Sequence, residues 1–317
     1  MKRLAVTVGL AALVAADPAA AQTVLVGGEG VTQADRLGRA FQTFSIFGGT
    51  PGIAAARYNS DFSLNSFQLP ISHSFAPIET GLFAGATPYA ELTLGYLTAD
   101  QTFPLVGADA PRSVKLSFDS WSALAGAGLD FPLGNGFKLR PMVLAGYSYV
   151  SADADFYGPN AATFRSLVRG VLSDATLHSV LLGGALQLSY ETRLPGDIGV
   201  AAQVRYNELA SIVTSASSRY LDGNGSFGVA TAGVDFDGPT GWQLGAKDIR
   251  WIGYTRGTWL PDTDPSVLGF NAFAEIGGGL RIIAPDVVRG VRGATVRASV
   301  IAGPGVTGWL VSAALVF

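Results

Sequence analysis

The stretch that decides the fold is IGVAAQVRYN, at residues 198–207. Apolar side chains take the even-numbered positions from Ile198 to Tyr206, while the odd-numbered positions hold small or polar side chains, among them Arg205. Successive side chains of a β-strand point to opposite faces, so this alternation predicts one apolar face and one polar face. A transmembrane barrel turns the apolar face to lipid, whereas a soluble sandwich with the same alternation turns it inward.

The same alternation recurs along the chain, at residues 137–149, 179–193 and 294–300. The connections between such stretches alternate in length, because tight turns rich in Gly and Pro are followed by longer links. The tight turns are expected at 132–136, 194–197 and 237–241, and the longer links at 100–112, 154–174, 215–225 and 257–266. Outer-membrane barrels place their short turns on the periplasmic side and their long loops outside.

We therefore predict an all-β fold, a transmembrane antiparallel β-barrel of about 12 strands over residues 51–317. An even number of strands puts both ends of the barrel on the periplasmic side. The predicted strands are 51–59, 62–76, 80–98, 112–131, 136–152, 175–193, 197–214, 226–236, 241–256, 267–283, 292–302 and 306–317.

The composition fits a membrane protein without membrane-spanning helices. Charged residues make up only 14% of the chain, and the mean hydropathy is +0.33. Residues 298–317 carry no charge, but Gly303, Pro304 and Gly305 interrupt them and favour a turn over a helix. An apolar chain of this kind can still satisfy its backbone groups in lipid by closing into a barrel.

The N-terminus has the pattern of a secretory signal peptide. Basic residues precede a short apolar run at 4–16, and alanines follow at 19–21. The apolar run is too short to span a bilayer, whereas small residues after such a run are typical of a cleavage site. We expect residues 1–21 to be a signal peptide that is cleaved before Gln22 and directs the chain to the outer membrane of a Gram-negative bacterium.

Two segments have helical spacing. In the N-terminal segment, residues 22–50, apolar side chains share one helical face over residues 32–44, which is either a helix in or under the lumen or an aromatic-rich strand. Apolar residues at 164–171 have the same spacing after Asn160, inside the longest loop, and predict a short helix that caps the barrel.

The last strand alternates up to a terminal aromatic residue. Trp309, Val311, Leu315 and Phe317 fall on one face. This ending resembles the C-terminal signature of bacterial outer-membrane barrels, which the barrel-assembly machinery recognises. An aromatic residue is also common at the third position from the end, and Leu315 departs from that pattern. The resemblance implies that these four residues form the assembly signal.

Length, strand number and the last strand together resemble the autotransporter β-domain, a barrel of the same strand number and about this length. A conventional autotransporter carries a long passenger upstream, and here only residues 22–50 precede the predicted barrel. The resemblance is therefore closest to solitary, passenger-less autotransporter-like barrels. It covers most of the chain and rests on architecture more than on a sharp motif. In that family a helix before the first strand can thread the pore, and residues 32–44 occupy that position.

Polar side chains on the predicted lumen face are the candidate functional residues. They either line a pore that tunes the passage of solutes or pair with one another in a plugged lumen, and we favour the plugged lumen. The candidates are Lys138, Arg140, Glu191, Arg193, Gln203, Arg205, Lys247, Glu275, Arg281 and Arg297.

No catalytic or metal site is predicted. His73 and His178 are each followed by a serine. Neighbours on a strand point to opposite faces, so neither His-Ser dipeptide can form a catalytic dyad by itself. The chain has no cysteine, its two histidines are far apart, and no Asp/Asn-rich calcium loop is present, so we expect no metal and no cofactor.

These patterns predict an outer-membrane barrel with a structural, interaction or transport-related role and no chemistry of its own. We expect it to be a monomer in contact with outer-membrane lipid and, through its last strand, with the barrel-assembly machinery. A net charge of −3 without a basic tract argues against binding to nucleic acid. A small diffusion porin or solute channel is the alternative, and a barrel hydrolase is a third hypothesis.

The alternation at residues 198–207 makes a direct prediction about two neighbouring positions. Val204→Arg should strongly impair assembly, because an arginine facing lipid costs roughly 2–4 kcal/mol near the midplane. On the alternation alone, Arg205→Ala should have only a small effect on the folded yield. Heat-modifiable migration of the outer-membrane fraction on gels measures the folded yield. An unchanged folded yield of Val204→Arg would contradict the assignment of the faces.

Overall fold

A computed structural model describes residues 43, 47, 49–51, 53, 56–60, 63–104, 111–219, 221–245, 247–263, 268–288 and 291–316. They form a closed antiparallel barrel in which the strands neighbour one another in chain order and the first strand closes against the last. The strands are β1 Arg57–Asn59, β2 Ser63–Ser74, β3 Thr87–Pro104, β4 Ser113–Gly134, β5 Phe137–Tyr157, β6 Ala175–Leu194, β7 Ile198–Ala216, β8 Gly225–Leu244, β9 Lys247–Trp259, β10 Ala272–Val288, β11 Val291–Gly303 and β12 Val306–Val316. The predicted all-β fold and the predicted number of strands are confirmed.

The first strand is much shorter than the sequence pattern predicts. β1 begins at Arg57, whereas the alternation favours a start at residue 51. Pro51 and Ile53 lie in a turn and a bend before the strand. A buried hydrogen-bond partner inside the barrel, described below, holds Pro51 away from the wall.

The tight turn predicted at residues 237–241 lies within β8. The pairing of β8 with β9 shifts register between Pro239 and Gln243, and the strand then continues to a turn at Gly245. A bulge of this kind absorbs extra residues without ending a strand. Gly241, whose φ is +75°, supplies the backbone conformation that the bulge needs. Glycine and proline therefore mark an irregularity in this strand and not its end.

The outward-facing side chains of the wall are apolar. Val204 is 56% exposed, whereas its neighbour Arg205 is only 6% exposed. The other exposed aliphatic side chains on the strands are Leu69, Ile71, Leu92, Leu94, Leu133, Val143, Leu182, Leu186, Leu188, Leu194, Ile212, Leu244, Ile276, Leu280, Val296, Val300 and Val311. Water-soluble proteins rarely expose a contiguous apolar surface of this extent.

Aromatic side chains bound the apolar band on both sides. Trp121 and Phe131 lie ten residues apart on β4. At about 3.3 Å per residue and a tilt of about 45°, that separation is about 23 Å along the barrel axis, close to the apolar height of outer-membrane barrels. Trp121 packs against Tyr96 with ring centroids 4.2 Å apart, and Phe131 lies 6.3 Å from Phe83.

The helix predicted in the longest loop is present. Helix α1, Ala161–Leu167, begins after Asn160, whose backbone is left-handed with a φ of 53°. Phe164 is buried, and its ring centroid lies 6.2 Å from that of Phe156 on β5. The helix therefore packs onto the extended end of the wall.

An ion-pair cluster holds α1 on the wall. Arg165 Nη2 donates to Asp153 Oδ2 at 2.8 Å, and its Nη1 donates to Asp155 Oδ1 at 2.7 Å. Burial raises the pKa of Asp153, but hydrogen bonds from Ser173, the Ala154 backbone N–H and Arg165 outweigh it and hold that pKa below its usual value. Outside the apolar band, polar contacts replace apolar ones.

The predicted signal peptide at 1–21 and most of the N-terminal segment at 22–50 lie outside the described residues. Of the helix or strand predicted at 32–44, only Thr43 is described. Thr43 and Phe47 both have helical backbone, and both side chains are buried. In the part of the chain that the structure describes, no helix is long and apolar enough to cross a bilayer.

Candidate functional site in the barrel interior

The interior has two zones. Toward the loop-side end, the inward-facing side chains are apolar and pack into one cluster, which includes Leu97, Phe118, Val150, Leu177, Leu209, Phe227, Val229 and Ile301. Toward the turn-side end, the inward positions are charged or polar, and they include Tyr89, Glu91, Asp130, Arg140, Arg205, Asp235, Asp237 and Arg250. We call these regions the apolar zone and the charged zone.

Phe47, which precedes the first strand, completes the apolar zone. Its ring centroid lies 5.4 Å from that of Tyr58 on β1 and 5.9 Å from that of Phe270, just before β10. Phe273 on β10 lies 5.4 Å from Tyr58. Such edge-to-face arrangements are the preferred packing of aromatic rings, so Phe47 is held firmly inside the loop-side end.

The chain between Phe47 and β1 crosses the interior. Asn207 Nδ2 on β7 donates to the backbone carbonyl oxygen of Pro51 at 3.0 Å. Gly49 lies so close to β4 that a Cβ there would be 1.9 Å from Ser122 Oγ. Strands β4 and β7 are not neighbours in the wall, so a segment that touches both lies within the barrel. We call Phe47, Gly49, Thr50, Pro51 and Ile53 the inner segment.

Arg205 and Glu91 form an ion pair between distant strands. Arg205 Nη2 lies 2.5 Å from Glu91 Oε1, and its Nη1 lies 2.9 Å from Oε2. The Nε of Arg205 donates to Asn207 Oδ1 at 2.7 Å. The two charged side chains are only 7% and 8% exposed. Since β7 and β3 have three strands between them, this bidentate pair bridges the lumen.

A second buried pair lies on neighbouring strands. Arg140 Nη2 on β5 donates to Asp130 Oδ2 on β4 at 2.7 Å, and its Nε donates to Asp130 Oδ1. The Arg140 guanidinium lies over the ring of Tyr89, 3.4 Å from the centroid. A planar guanidinium can stack on an aromatic ring while it binds a carboxylate with both nitrogens.

Arg250 links the wall to the turn after β6. It donates to Asp237 Oδ2 at 2.6 Å, to the Asp197 carboxylate, and to the Asp197 backbone oxygen at 2.7 Å. Arg193 donates to the same carboxylate. Hydrogen bonds from Arg250, and then from Arg193, lower the pKa of Asp197.

Glu275 on β10 and Arg297 on β11 bind different partners. Glu275 Oε1 accepts hydrogen bonds from Tyr254 at 2.9 Å and from Ser299 at 2.7 Å. Arg297 donates to Asp235 Oδ1 at 3.3 Å. The buried carboxylate of Glu275 is thus satisfied by hydroxyl groups and not by a cation.

The other predicted site residues lie at the periphery. Lys138 and Glu191 form a largely exposed pair at 3.5 Å, and Arg281 lies 3.9 Å from Asp237. Gln203 and Lys247 are half-buried. Of the predicted assembly residues, Trp309 and Val311 face outward and are exposed, Leu315 is paired in β12 with Ala294, and Phe317 lies outside the described residues.

Sequence reasoning missed most of the acidic partners. The acidic residues among the predicted lumen candidates are Glu191 and Glu275, whereas Arg205 pairs with Glu91, Arg297 with Asp235 and Arg193 with Asp197. Alternation could have found Glu91, which has the parity of Tyr89 and Thr93 opposite Leu92 and Leu94. Nothing in the sequence connects Glu91 to a residue more than a hundred positions away.

The two histidines lie on the outward face. His178 Nδ1 is 2.5 Å from the Tyr147 hydroxyl, and His73 packs edge-on against Phe75 at 4.7 Å. Within the described ranges, no three His, Cys, Asp or Glu side chains are grouped closely enough to hold a metal ion. The arrangement of the interior supports obstruction of the lumen and cross-bracing of the wall.

Three solved autotransporter domains are similar to this barrel in fold. The β domain of the Bordetella autotransporter BrkA has 14% identity over 81% of this chain and 93% of its own, with a TM-score of 0.47. The translocator domain of NalP from Neisseria meningitidis has 15% identity over 92% and 99%, with a TM-score of 0.43. The transport unit of AIDA-I from Escherichia coli has 11% identity over 88% and 95%, with a TM-score of 0.49.

No protein-family model matches the chain, and no curated protein sequence matches it. At the identities of the three solved domains, the similarity concerns the fold alone.

The Arg205–Glu91 pair overturns the expectation that Arg205→Ala is mild. Removing the guanidinium leaves Glu91 buried without its charge partner, and breaking a buried pair in this way costs about 3–5 kcal/mol. Arg205→Ala should therefore lower the free energy of unfolding, measured by urea titration of the barrel in liposomes with tryptophan fluorescence.

Two variants control for a trivial effect of removing charge. The double variant Arg205→Ala/Glu91→Ala should have a higher free energy of unfolding than Arg205→Ala, because no buried charge is left without a partner. Lys138→Ala removes a cation from a largely exposed pair and should cost less than about 1 kcal/mol. A double variant that is less stable than Arg205→Ala would contradict the pairing.

Proposed function

We propose that the chain is an outer-membrane β-barrel of a Gram-negative bacterium, similar to an autotransporter translocator domain, with a structural, interaction or transport-related role and no chemistry of its own. The polarity of the wall carries the proposal, because Val204 and its counterparts face outward while Arg205 and its counterparts face inward. A surface with an apolar band between two rows of aromatic residues is stable in a bilayer and unstable in water.

Export and assembly follow from the two ends of the chain. Residues 1–21 act as the signal peptide, and the mature protein begins at Gln22. The barrel inserts as a monomer into outer-membrane lipid with the help of the barrel-assembly machinery, which reads Trp309, Val311, Leu315 and Phe317. Trp309 and Val311 face outward, where such a factor could contact them.

The predicted lumen residues brace the wall and, with the inner segment, obstruct the pore at rest. Three observations support this role: Phe47 is fully buried among aromatic rings, Pro51 is bound by Asn207, and the Arg205–Glu91 pair spans the charged zone. The outward position of His73 and His178 gives no support to the hydrolase hypothesis.

Deleting residues 22–53 should raise the single-channel conductance of the barrel in a planar bilayer, because it removes the inner segment and leaves β1 in place. The intact protein, refolded from the same preparation, is the matched control and should conduct poorly. High, steady conductance of the intact protein would contradict obstruction and favour the diffusion-porin alternative.

Deleting Phe317 should lower the yield of folded barrel in the outer membrane, because the terminal aromatic side chain is lost from the assembly signal. Heat-modifiable migration on gels measures the yield. Phe317→Tyr keeps an aromatic ring and should restore most of it. An unchanged yield on deletion would remove the recognition role from this residue.

A further inference from the structure

The connection between β2 and β3 differs from the other described connections on the turn side of the barrel. β2 ends at Ser74 and β3 begins at Thr87, so residues 75–86 lie between them, whereas the connections at 135–136 and 195–197 are tight turns. The sequence pattern predicts a much shorter connection here, at residues 77–79. We call residues 75–86 the flap.

The flap has an ordered backbone. The Gly85 N–H donates to the Ile78 carbonyl oxygen at 2.8 Å, and the Ala86 N–H donates to the Phe83 carbonyl oxygen at 3.0 Å. Gly81 has a φ of +90°, which glycine adopts without strain. These hydrogen bonds curl the tip of the flap back toward its own base, so the position of its side chains is fixed by the backbone.

The flap folds onto the outward face of the wall. Phe131 on β4 points outward, because its neighbour Asp130 is buried in the lumen. The ring of Phe83 lies 6.3 Å from that of Phe131. Ala86, one residue before β3, has the parity of the outward-facing Leu92, yet it is only 1% exposed. An outward position that is buried must be covered from outside, and the curled flap covers it.

The tip of the flap projects an apolar side chain beyond the wall. Leu82 is 93% exposed, whereas the outward-facing large apolar side chains of the described strands reach 70% at Val143. Consecutive Cα atoms are about 3.8 Å apart, so Leu82 lies close to the turn-side row of aromatic residues that Phe83 joins. An apolar side chain held in this way is unfavourable in water.

We propose that the flap is a lipid-docking site, in which Leu82 and Phe83 insert among the acyl chains of the membrane leaflet on the turn side. The proposal rests on the membrane placement proposed above. Its main support is continuity, because the Phe83–Phe131 contact joins the flap to the edge of the apolar band. Aromatic side chains favour this level of a bilayer, and an adjacent leucine reaches the acyl chains from it.

The composition of the flap favours acyl chains over charged headgroups as the ligand. Its sequence is FAPIETGLFAGA, in which Glu79 is the one charged residue and no lysine or arginine occurs. Recognition of anionic headgroups depends on basic side chains, whereas insertion of apolar side chains depends on the area that they bury. Docking of the flap should therefore depend little on lipid charge or on salt.

Fluorescence of a single labelled cysteine tests the docking, because the chain has no cysteine of its own. Leu82→Cys is labelled with the environment-sensitive dye NBD, and the full chain is folded into phosphatidylcholine liposomes. Nitroxide-labelled phospholipid quenches the dye from the membrane, and iodide quenches it from water. Pro195→Cys, in an exposed turn on the same side, carries the same dye and controls for its affinity for lipid. Val204→Cys, on the outward face of β7, is the control for lipid contact.

We expect lipid quenching at residue 82 to be several times stronger than at residue 195, and iodide quenching to be several times weaker. Both should stay unchanged when phosphatidylglycerol is added to the liposomes. Quenching at residue 82 equal to that at residue 195, with residue 204 quenched by lipid, would overturn the docking and leave the membrane placement intact.

Two other results would also overturn the proposal. Protection of residue 82 from both quenchers would indicate a protein contact, such as a second copy of the chain, in place of lipid. Absence of lipid quenching at residue 204 in barrels that are folded by heat-modifiable migration would contradict the membrane placement itself, and the docking with it.

Discussion

In the membrane placement that we propose, the structure depends on one constraint: backbone hydrogen bonds must be satisfied without water. A sheet achieves this only when its first and last strands meet, and β1 and β12 meet over just three residues. β1 also pairs with β2 over only three residues, whereas all the other neighbouring strands pair along most of their length, so the cost of closure is concentrated on the two sides of β1. The alternation of the strands follows from closure, since a closed wall has one face for lipid and one for the lumen.

The division of the interior into an apolar zone and a charged zone also follows from the closed wall. The side chains of the charged zone turn inward, where burial would destabilise the charged ones unless they are paired. Arg205 meets Glu91 across the lumen, and Arg140 meets Asp130 along the wall. The apolar zone closes the other end around Phe47 and Tyr58. The inner segment therefore belongs to the core of this barrel.

Periodicity predicted the strands well because it is a local property. The alternation at residues 198–207 assigned Val204 and Arg205 to opposite faces, and their exposures of 56% and 6% differ as expected for such a split. Periodicity was wrong where residues typical of a turn or of a strand were used in another way by the tertiary structure. The glycines and proline at 237–241 mark a bulge within β8, and the apolar residues from 51 onward precede β1 because a hydrogen bond from Asn207 holds Pro51 inside.

By itself, the sequence determined the class of fold, the number of strands and the face on which each charge lies, because side-chain direction in a strand depends only on the parity of the residue number. Only the tertiary structure decided which charges meet. Glu91 and Arg205 belong to strands that are brought opposite each other by barrel closure, and closure is a property of the whole sheet. The same closure placed the inner segment against β4 and β7.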